Sequence, residues 1–501
     1  MHGALMVCGT TSDAGKSTLV AGLCRVLARR GVRVAPFKGQ NMSLNSMVTS
    51  EGGEIGRAQW LQAVAAGAQP EVAMNPVLLK PMGERASQVV LLGRPVGVQE
   101  AAPYQASKDA LVDVVDGALA SLRARFDVVV CEGAGSPAEI NLLEHDIVNL
   151  GLAVRAGLPA IVVGDIERGG VFAHLFGTVG ILPEELARAI GGFVINRFRG
   201  DRALLSDGPA QLEARTGVPT LGVLPFLDGL EFDAEDSLAR SRTSAAPPAP
   251  GSALDVAALL VPRLSNFTDL DPLVAEPGVH VRWVARADEL GHPDLVVLPG
   301  TRATVSDLAS LRQRGLCDAV GALRASADPP VILGICGGFQ MLGVTIEDAG
   351  GVEAAVASAS VPGLGWLPVR TVFEEEKVAR LTTAVDTARC RVGGYEIRHG
   401  RMAAAGDHRA WLEPEDGDDL ISAGDEDEMV LGTTLHGLFE DDGFRHRFLA
   451  ELAGRRGRTW ADSSLSFAAA RQGQIDRIAD ACEEHLDLDA LWRLVESAAL
   501  R

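Results

Sequence analysis

Residues 9–18 read G-T-T-S-D-A-G-K-S-T, directly after the apolar run Leu5–Gly9 and directly before the amphipathic stretch Lys16–Arg29. Strand, glycine loop and helix in that order predict a phosphate-binding loop at the first element of an α/β domain. Backbone N–H groups and the helix N-terminus would hold phosphate oxygens, Lys16 would reach the outer phosphates, and the Ser17 hydroxyl can bind Mg²⁺. Gly9, Thr10, Asp13, Gly15, Lys16, Ser17 and Thr18 are the candidate ATP-binding residues. The spacing is G-x5-G-K-S, one residue longer than the usual loop.

Outward from the loop, apolar runs at Val32–Phe37, Asp127–Cys131, Ala160–Gly164, Gly192–Asn196 and Leu221–Leu224 alternate with helical patterns such as Asp207–Thr216. Continuous Val/Ile/Leu strands separated by helices predict a parallel sheet covered on both faces. Ligands in such sheets gather at the carboxyl edge. Glu132, following Asp127–Cys131 in C-E-G-A-G-S, is the first candidate metal ligand. Glu54 in E-G-G-E-I-G-R-A-Q is a second, and Asp165 in G-D-I-E-R-G-G could bind metal or substrate. Each could instead be a helix cap or a solvated loop carboxylate. Lys38 closes its strand and is expected to face the phosphates. The chain has only five lysines (16, 38, 80, 108 and 377), so two of them fall where a phosphate needs them.

The segment Ser241–Ala253, rich in Pro, Ala and Ser, reads as a linker. Strand-like runs resume at Val256–Val261, Val279–Val284, Leu295–Leu298 and Val331–Ile335. The expected division is therefore a phosphate-loop domain over 1–240, a linker over 241–253, a second α/β domain over 254–450 and a helical segment over 451–501.

Residues 331–343 read V-I-L-G-I-C-G-G-F-Q-M-L-G. An apolar strand running into Cys336 and then into a glycine-flanked helix start exposes a thiol where the helix N-terminus favours thiolate. The Gly337 N–H can stabilise an oxyanion, and Gly300 in L-P-G-T, at another strand end, could supply a second donor. His436 in G-T-T-L-H-G-L-F-E is the candidate general base.

Composition narrows the classes. A net charge of −20 over 501 residues argues against a nucleic-acid or anionic-membrane surface. No apolar run is long enough to span a bilayer, and the N-terminus reads as a first buried strand and not a signal peptide. The seven cysteines are scattered without a C-x-x-C pair, which disfavours a zinc site or disulfide framework and fits a reducing cytoplasm.

The longer loop resembles that of dethiobiotin synthetase and its relatives, and G-x-C-x-G-x-Q with a later His resembles class I glutamine amidotransferase domains. Nearly end to end, the chain resembles the cobyric acid synthase family. The resemblance runs through F-K-G-Q-N-M-S-L-N-S, E-I-G-R-A-Q, N-P-V-L-L-K-P, E-G-A-G-S-P-A-E-I-N-L, D-I-E-R-G-G-V-F-A, I-N-R-F-R-G-D, the cysteine elbow, G-Y-E-I and L-H-G. N-M-S-L-N-S and P-A-E-I-N-L are its specific parts.

This resemblance implies glutamine hydrolysis at Cys336 through a thioester, with His436 as base and then acid. It implies ATP·Mg²⁺-dependent phosphorylation of a corrinoid carboxylate, and displacement of phosphate by ammonia. The substrate would be adenosylcobyrinic acid a,c-diamide, amidated at its b, d, e and g carboxylates. Asn196 falls where the dethiobiotin-synthetase relatives read adenine. The absence of D-x-H-x-x-G suits a corrinoid that is substrate and not prosthetic group.

Many class I glutaminases place Glu two residues after the His. Leu438 stands there, so the resemblance implies a Cys–His pair, and Glu440 is not assigned as a third member. Arg398 stands where relatives carry His after G-Y-E-I, which leaves His399 either touching glutamine or on the surface. Two other readings compete. One is the sister cobyrinic acid a,c-diamide synthase. The other is a ParA-like ATPase switch with an inactive glutaminase-like domain.

Overall fold

A computed structural model describes residues 1–82, 86–100, 109–230, 254–353, 358–417, 419–458, 460 and 463–498. The expected linker, Ser241–Ala253, lies outside the described residues. The chain forms two compact units. The first comprises 1–42, 55–230 and 471–501, and the second comprises 43–54 and 231–470.

The first unit is built on a six-stranded sheet in the order Thr220–Pro225, Ile190–Phe198, Ala160–Asp165, Gly3–Gly9, Val128–Glu132, Val34–Phe37. All its pairings are parallel. The order departs in both directions from Gly3–Gly9, so the crevice at the carboxyl edge opens beside that strand, where the phosphate loop begins. The strand expected from Val32 starts at Val34, because the Val32 N–H returns to the Leu27 carbonyl (3.1 Å) and closes the end of the first helix. Sequence reading did not anticipate a second sheet, in which Gln40–Met42, Val77–Pro81, Ala86–Leu91 and Arg94–Glu100 are neighbours.

The C-terminal helices Phe467–His485 and Leu488–Ser497 supply one cover of the main sheet. Ile475, Ile478, Ala479, Cys482, Leu491, Trp492 and Val495 join Leu5, Leu19, Leu23 and Val26 in one apolar cluster. Arg25 and Arg29 pair with Asp476 and Asp480 at the rim. Such rim pairs are worth about 0–1 kcal/mol each, whereas each fully buried Leu or Val side chain contributes about 1.5–3 kcal/mol. Apolar burial therefore holds these helices; of the segment expected over 451–501, residues 471–501 belong to the first unit and residues 451–470 to the second.

The second unit carries a six-stranded sheet in the order Val279–Val284, Leu254–Leu259, Leu295–Leu298, Val331–Ile335, Val430–Thr433, Ser422–Gly424. It is parallel except for the last pair. A second sheet holds the long antiparallel pair Val369–Asp386 and Arg391–Ala404. Both units are thus α/β with parallel central sheets, as the strand–helix alternation predicts.

Candidate active sites

In the first unit the loop after Gly3–Gly9 opens the helix Lys16–Arg29. Gly15 takes φ 94°, and a Cβ there would lie 2.0 Å from the Asn196 side-chain nitrogen, so only glycine fits. Asn196 donates to the Ala14 carbonyl at 2.9 Å and thereby braces the loop. Lys16 Nζ donates to the carbonyls of Thr11 (2.9 Å) and Gly135 (3.0 Å), which brings the C-E-G-A-G-S turn onto the phosphate loop. The buried Thr10 Oγ1 has no hydrogen-bond partner.

Glu132 is the centre of this site. Its carboxylate accepts from Ser17 Oγ (2.8 Å), Lys38 Nζ (2.8 Å) and Gln62 Nε2 (2.5 Å). Burial would push this carboxyl up, but the Lys38 charge and the three donors hold it below the usual carboxylate range. Ser17, Lys38 and Glu132 are brought together as their positions at strand and loop ends predict. Lys38 meets the carboxylate directly.

The other acidic candidates have different partners. Asp165 accepts from Arg197 Nη1 at 2.9 Å and from the Glu167 N–H at 2.8 Å. Asp13 is half exposed at a left-handed turn, 3.1 Å from Arg168. Glu54 belongs to the second unit, where Lys377 pairs with its carboxylate and Ser46 Oγ donates to it at 2.6 Å.

In the second unit, Cys336 ends the strand Val331–Ile335 and opens the helix Gly337–Leu342 at φ 50°, ψ −103°, a strained conformation for a non-glycine residue. A Cβ on Gly338 would lie 1.9 Å from the Leu298 carbonyl oxygen, which shows how tightly the elbow is seated. Gly337 packs against Thr301, and a Cβ on Gly300 would fall 3.0 Å from His436 Cε1. The expected oxyanion glycines, the nucleophile and the base therefore meet. Cys336 Sγ lies 3.8 Å from the Ile397 carbonyl oxygen.

A third residue was missed in the sequence. Asp269 Oδ2 lies 2.7 Å from His436 Nδ1, and its Oδ1 accepts from the Gly437 N–H at 2.8 Å. The implied Cys–His pair is thus corrected to a Cys–His–Asp arrangement. Its acid comes from the loop after the strand Leu254–Leu259 and not from the residues just after the histidine. Burial would push the His436 imidazole down, but Asp269 and Cys336 reverse this and raise it to about 10. The Tyr395 ring stacks on His436 with centroids 5.3 Å apart.

Asp269 is itself held. Asn266 Oδ1 accepts from the Ser46 N–H (3.1 Å), and Asn45 Oδ1 accepts from the Phe267 N–H (3.3 Å). The N-M-S-L-N-S segment thus clamps the turn that carries the acid. Thr434, two residues before His436, donates to Glu396 at 2.7 Å. Burial would raise the Glu396 carboxyl, but Arg398, Thr434 and Arg380 bring it down to about 2. Arg398 is therefore the counter-charge of a buried carboxylate. His399 is buried as well, with Nδ1 3.1 Å from the Glu374 carbonyl oxygen.

The geometry makes Asp269 a positioning residue. Asp269→Asn is expected to lower glutaminase kcat by about 10²-fold, less than in serine enzymes because a thiol is intrinsically more nucleophilic. Asp269 raises the His436 pKa, so the imidazolium persists up to about pH 10, and removing the anion lets the proton leave at lower pH. The alkaline limb of the rate profile should move to lower pH. A variant with reduced rate and an unmoved limb would show that Asp269 only supports folding.

Comparison with known proteins agrees with this layout. Residues 5–238 match the CobQ/CobB/MinD/ParA nucleotide binding domain, and residues 255–444 match the CobB/CobQ-like glutamine amidotransferase domain. Cobyric acid synthase of Nocardia farcinica is 52% identical, covering 100% of this chain and 98% of that one. The Streptomyces coelicolor enzyme of the same name is 52% identical over 100% and 97%. That of Frankia casuarinae is 49% identical over 99% and 97%. With a nucleotide-binding unit and a glutamine-hydrolysing amidotransferase unit in one polypeptide, the chain belongs to the cobyric acid synthase family.

Proposed function

We propose that this chain amidates the b, d, e and g carboxylates of adenosylcobyrinic acid a,c-diamide, giving adenosylcobyric acid, with ATP as activator and glutamine as the ammonia source. The observation that carries this reading is the end-to-end likeness to cobyric acid synthases at 52% identity, together with both sets of reactive groups present.

A free carboxylate is a poor acyl donor because oxide is a poor leaving group. A carboxylate oxygen of the corrinoid attacks the γ-phosphorus of ATP, ADP leaves, and an acyl phosphate results. Ammonia then adds to the carbonyl carbon and phosphate departs, leaving the amide. Lys16 draws charge from the outer phosphates, the loop N–H groups hold their oxygens, and Asn196 keeps the loop in shape. Ser17 and Glu132 fit a Mg²⁺ ion, since a hydroxyl and an anionic carboxylate already meet there. That ion would neutralise phosphate charge.

In the second unit Cys336 sulfur attacks the glutamine amide carbon, and the oxyanion is met by N–H groups at Gly337 and Gly300. His436 protonates the departing ammonia and then takes a proton from the water that cleaves the thioester. Asp269 keeps the imidazole in register throughout. A cytoplasmic setting suits the requirement for ATP and free thiol. Among the described residues no helix is long and apolar enough to cross a membrane.

The test is mass spectrometry of the corrinoid after incubation with ATP and amide-¹⁵N glutamine. Four labelled nitrogens should enter the a,c-diamide. No labelling of this substrate, with labelling of cobyrinic acid at two positions, would overturn the proposal in favour of a,c-diamide synthesis.

A further inference from the structure

Arg302 follows directly on the loop that serves the oxyanion. Gly300 abuts His436 and Thr301 abuts Gly337, so the two residues before Arg302 pack against the base and against the residue that follows Cys336. The Arg302 N–H is fixed on the Arg263 carbonyl at 3.0 Å. Its guanidinium is different, because Nε and Nη2 are buried and have no hydrogen-bond partner.

Three carboxylates, Glu353, Glu54 and Asp348, influence it electrostatically, yet each is committed elsewhere. Glu353 accepts from the N–H groups of Thr304 (2.5 Å) and Val305 (3.4 Å) at the start of the next helix. Glu54 is held by Lys377 and Ser46. Asp348 accepts from the N–H groups of Val352 (2.7 Å) and Glu353 (3.1 Å). Nearby, burial and then the charges of Lys377 and Arg302 push His399 down to about 4, which marks a region of positive potential. A buried guanidinium edge with two unspent N–H donors matches the geometry of one carboxylate accepting side-on.

Glutamine carries its α-carboxylate carbon four carbon–carbon bonds from the amide carbon that Cys336 attacks. We propose that Arg302 receives this carboxylate through Nε and Nη2, so that one loop stabilises the oxyanion and selects the amino acid. This deepens the assignment of Cys336 and His436 as the glutaminase pair and rests on it. Arg302 is then a substrate-binding residue, and its contact is equal in ground state and transition state, so its loss falls on KM.

The test compares glutamine with 4-aminobutanamide, which keeps the amide and the amine and lacks the carboxylate. Wild type should favour glutamine in kcat/KM by more than about 10²-fold. Arg302→Met should raise KM for glutamine by about 10²-fold with kcat little changed, and should bring the two substrates close to parity. Arg302→Lys, which keeps charge without the fork, should lie between.

Ammonium-dependent amidation should keep its KM for the corrinoid in both variants. Equal use of both amides by wild type would overturn the proposal without any variant. So would a glutamine preference unchanged in the folded variants, or a raised corrinoid KM with an unchanged glutamine KM, which would assign Arg302 to the acceptor's carboxylates. A wild type that hydrolyses neither amide would instead refute the glutaminase pair.

Discussion

Cys336→Ala is expected to abolish glutamine-dependent amidation, by about 10⁴-fold or more, while synthesis from ammonium stays close to wild type. The sulfur supplies the only covalent step in ammonia release, and neither His436 nor the oxyanion loop can replace it. In the proposed reaction the acyl phosphate, in contrast, forms around Lys16, Ser17 and Glu132, which belong to the first unit together with Lys38, the partner of Glu132. Parallel assays with glutamine and with ammonium chloride, scored by corrinoid amidation, separate the two activities. Loss of both in a variant that unfolds at the wild-type temperature would refute the division of labour.

Lys16→Ala should remove both amidation activities, by about 10³-fold or more, and should leave basal glutamate release from glutamine in place. In the proposed reaction charge accumulates on the phosphoryl oxygens as ADP departs, and no other lysine sits on the loop. Lys38 cannot substitute, because its ammonium is engaged with Glu132 at 2.8 Å in a buried pair. Moving it away would leave a buried carboxylate unpaired, at a cost of about 3–5 kcal/mol. The measurement is ADP release together with corrinoid amidation, with either nitrogen source. Ammonium-dependent synthesis at the wild-type rate would show that the phosphate loop does not activate the carboxylate.

The readable parts of the site were those where chemistry and local backbone coincide. The phosphate loop and the cysteine elbow each lie within a few residues of a strand end and a helix start. Glycine spacing, apolar run and reactive residue therefore appear side by side in the chain. Glu132 was reachable for the same reason, as the first residue past an apolar strand.

Asp269 was not reachable by that route. It lies in L-S-N-F-T-D-L-D, 167 positions before His436, and no local pattern ties the two. Its one signal is a polar, acid-bearing loop after the strand Leu254–Leu259, at the carboxyl edge of the six-stranded sheet of the second unit. Glu54 shows the same limit from the other side. Its glycine-rich surroundings resemble a ligand loop, but its nearest cation is Lys377, supplied by a strand far along the chain.

Element type and reaction chemistry were therefore written in local order. Hydrophobic period, glycine placement and a few reactive side chains act over one strand–turn–helix unit, and such units need no distant partner to be recognised. Folding added the partnerships. Residues 43–54 join the second unit and clamp the turn of Asp269, the helices Phe467–His485 and Leu488–Ser497 return to cover the first sheet, and Arg302 is left with unspent donors directly after Gly300 and Thr301. Each of these depends on which surfaces bury one another and which charges then lack water. Burial and pairing are properties of the packed chain, so linear spacing carries little trace of them.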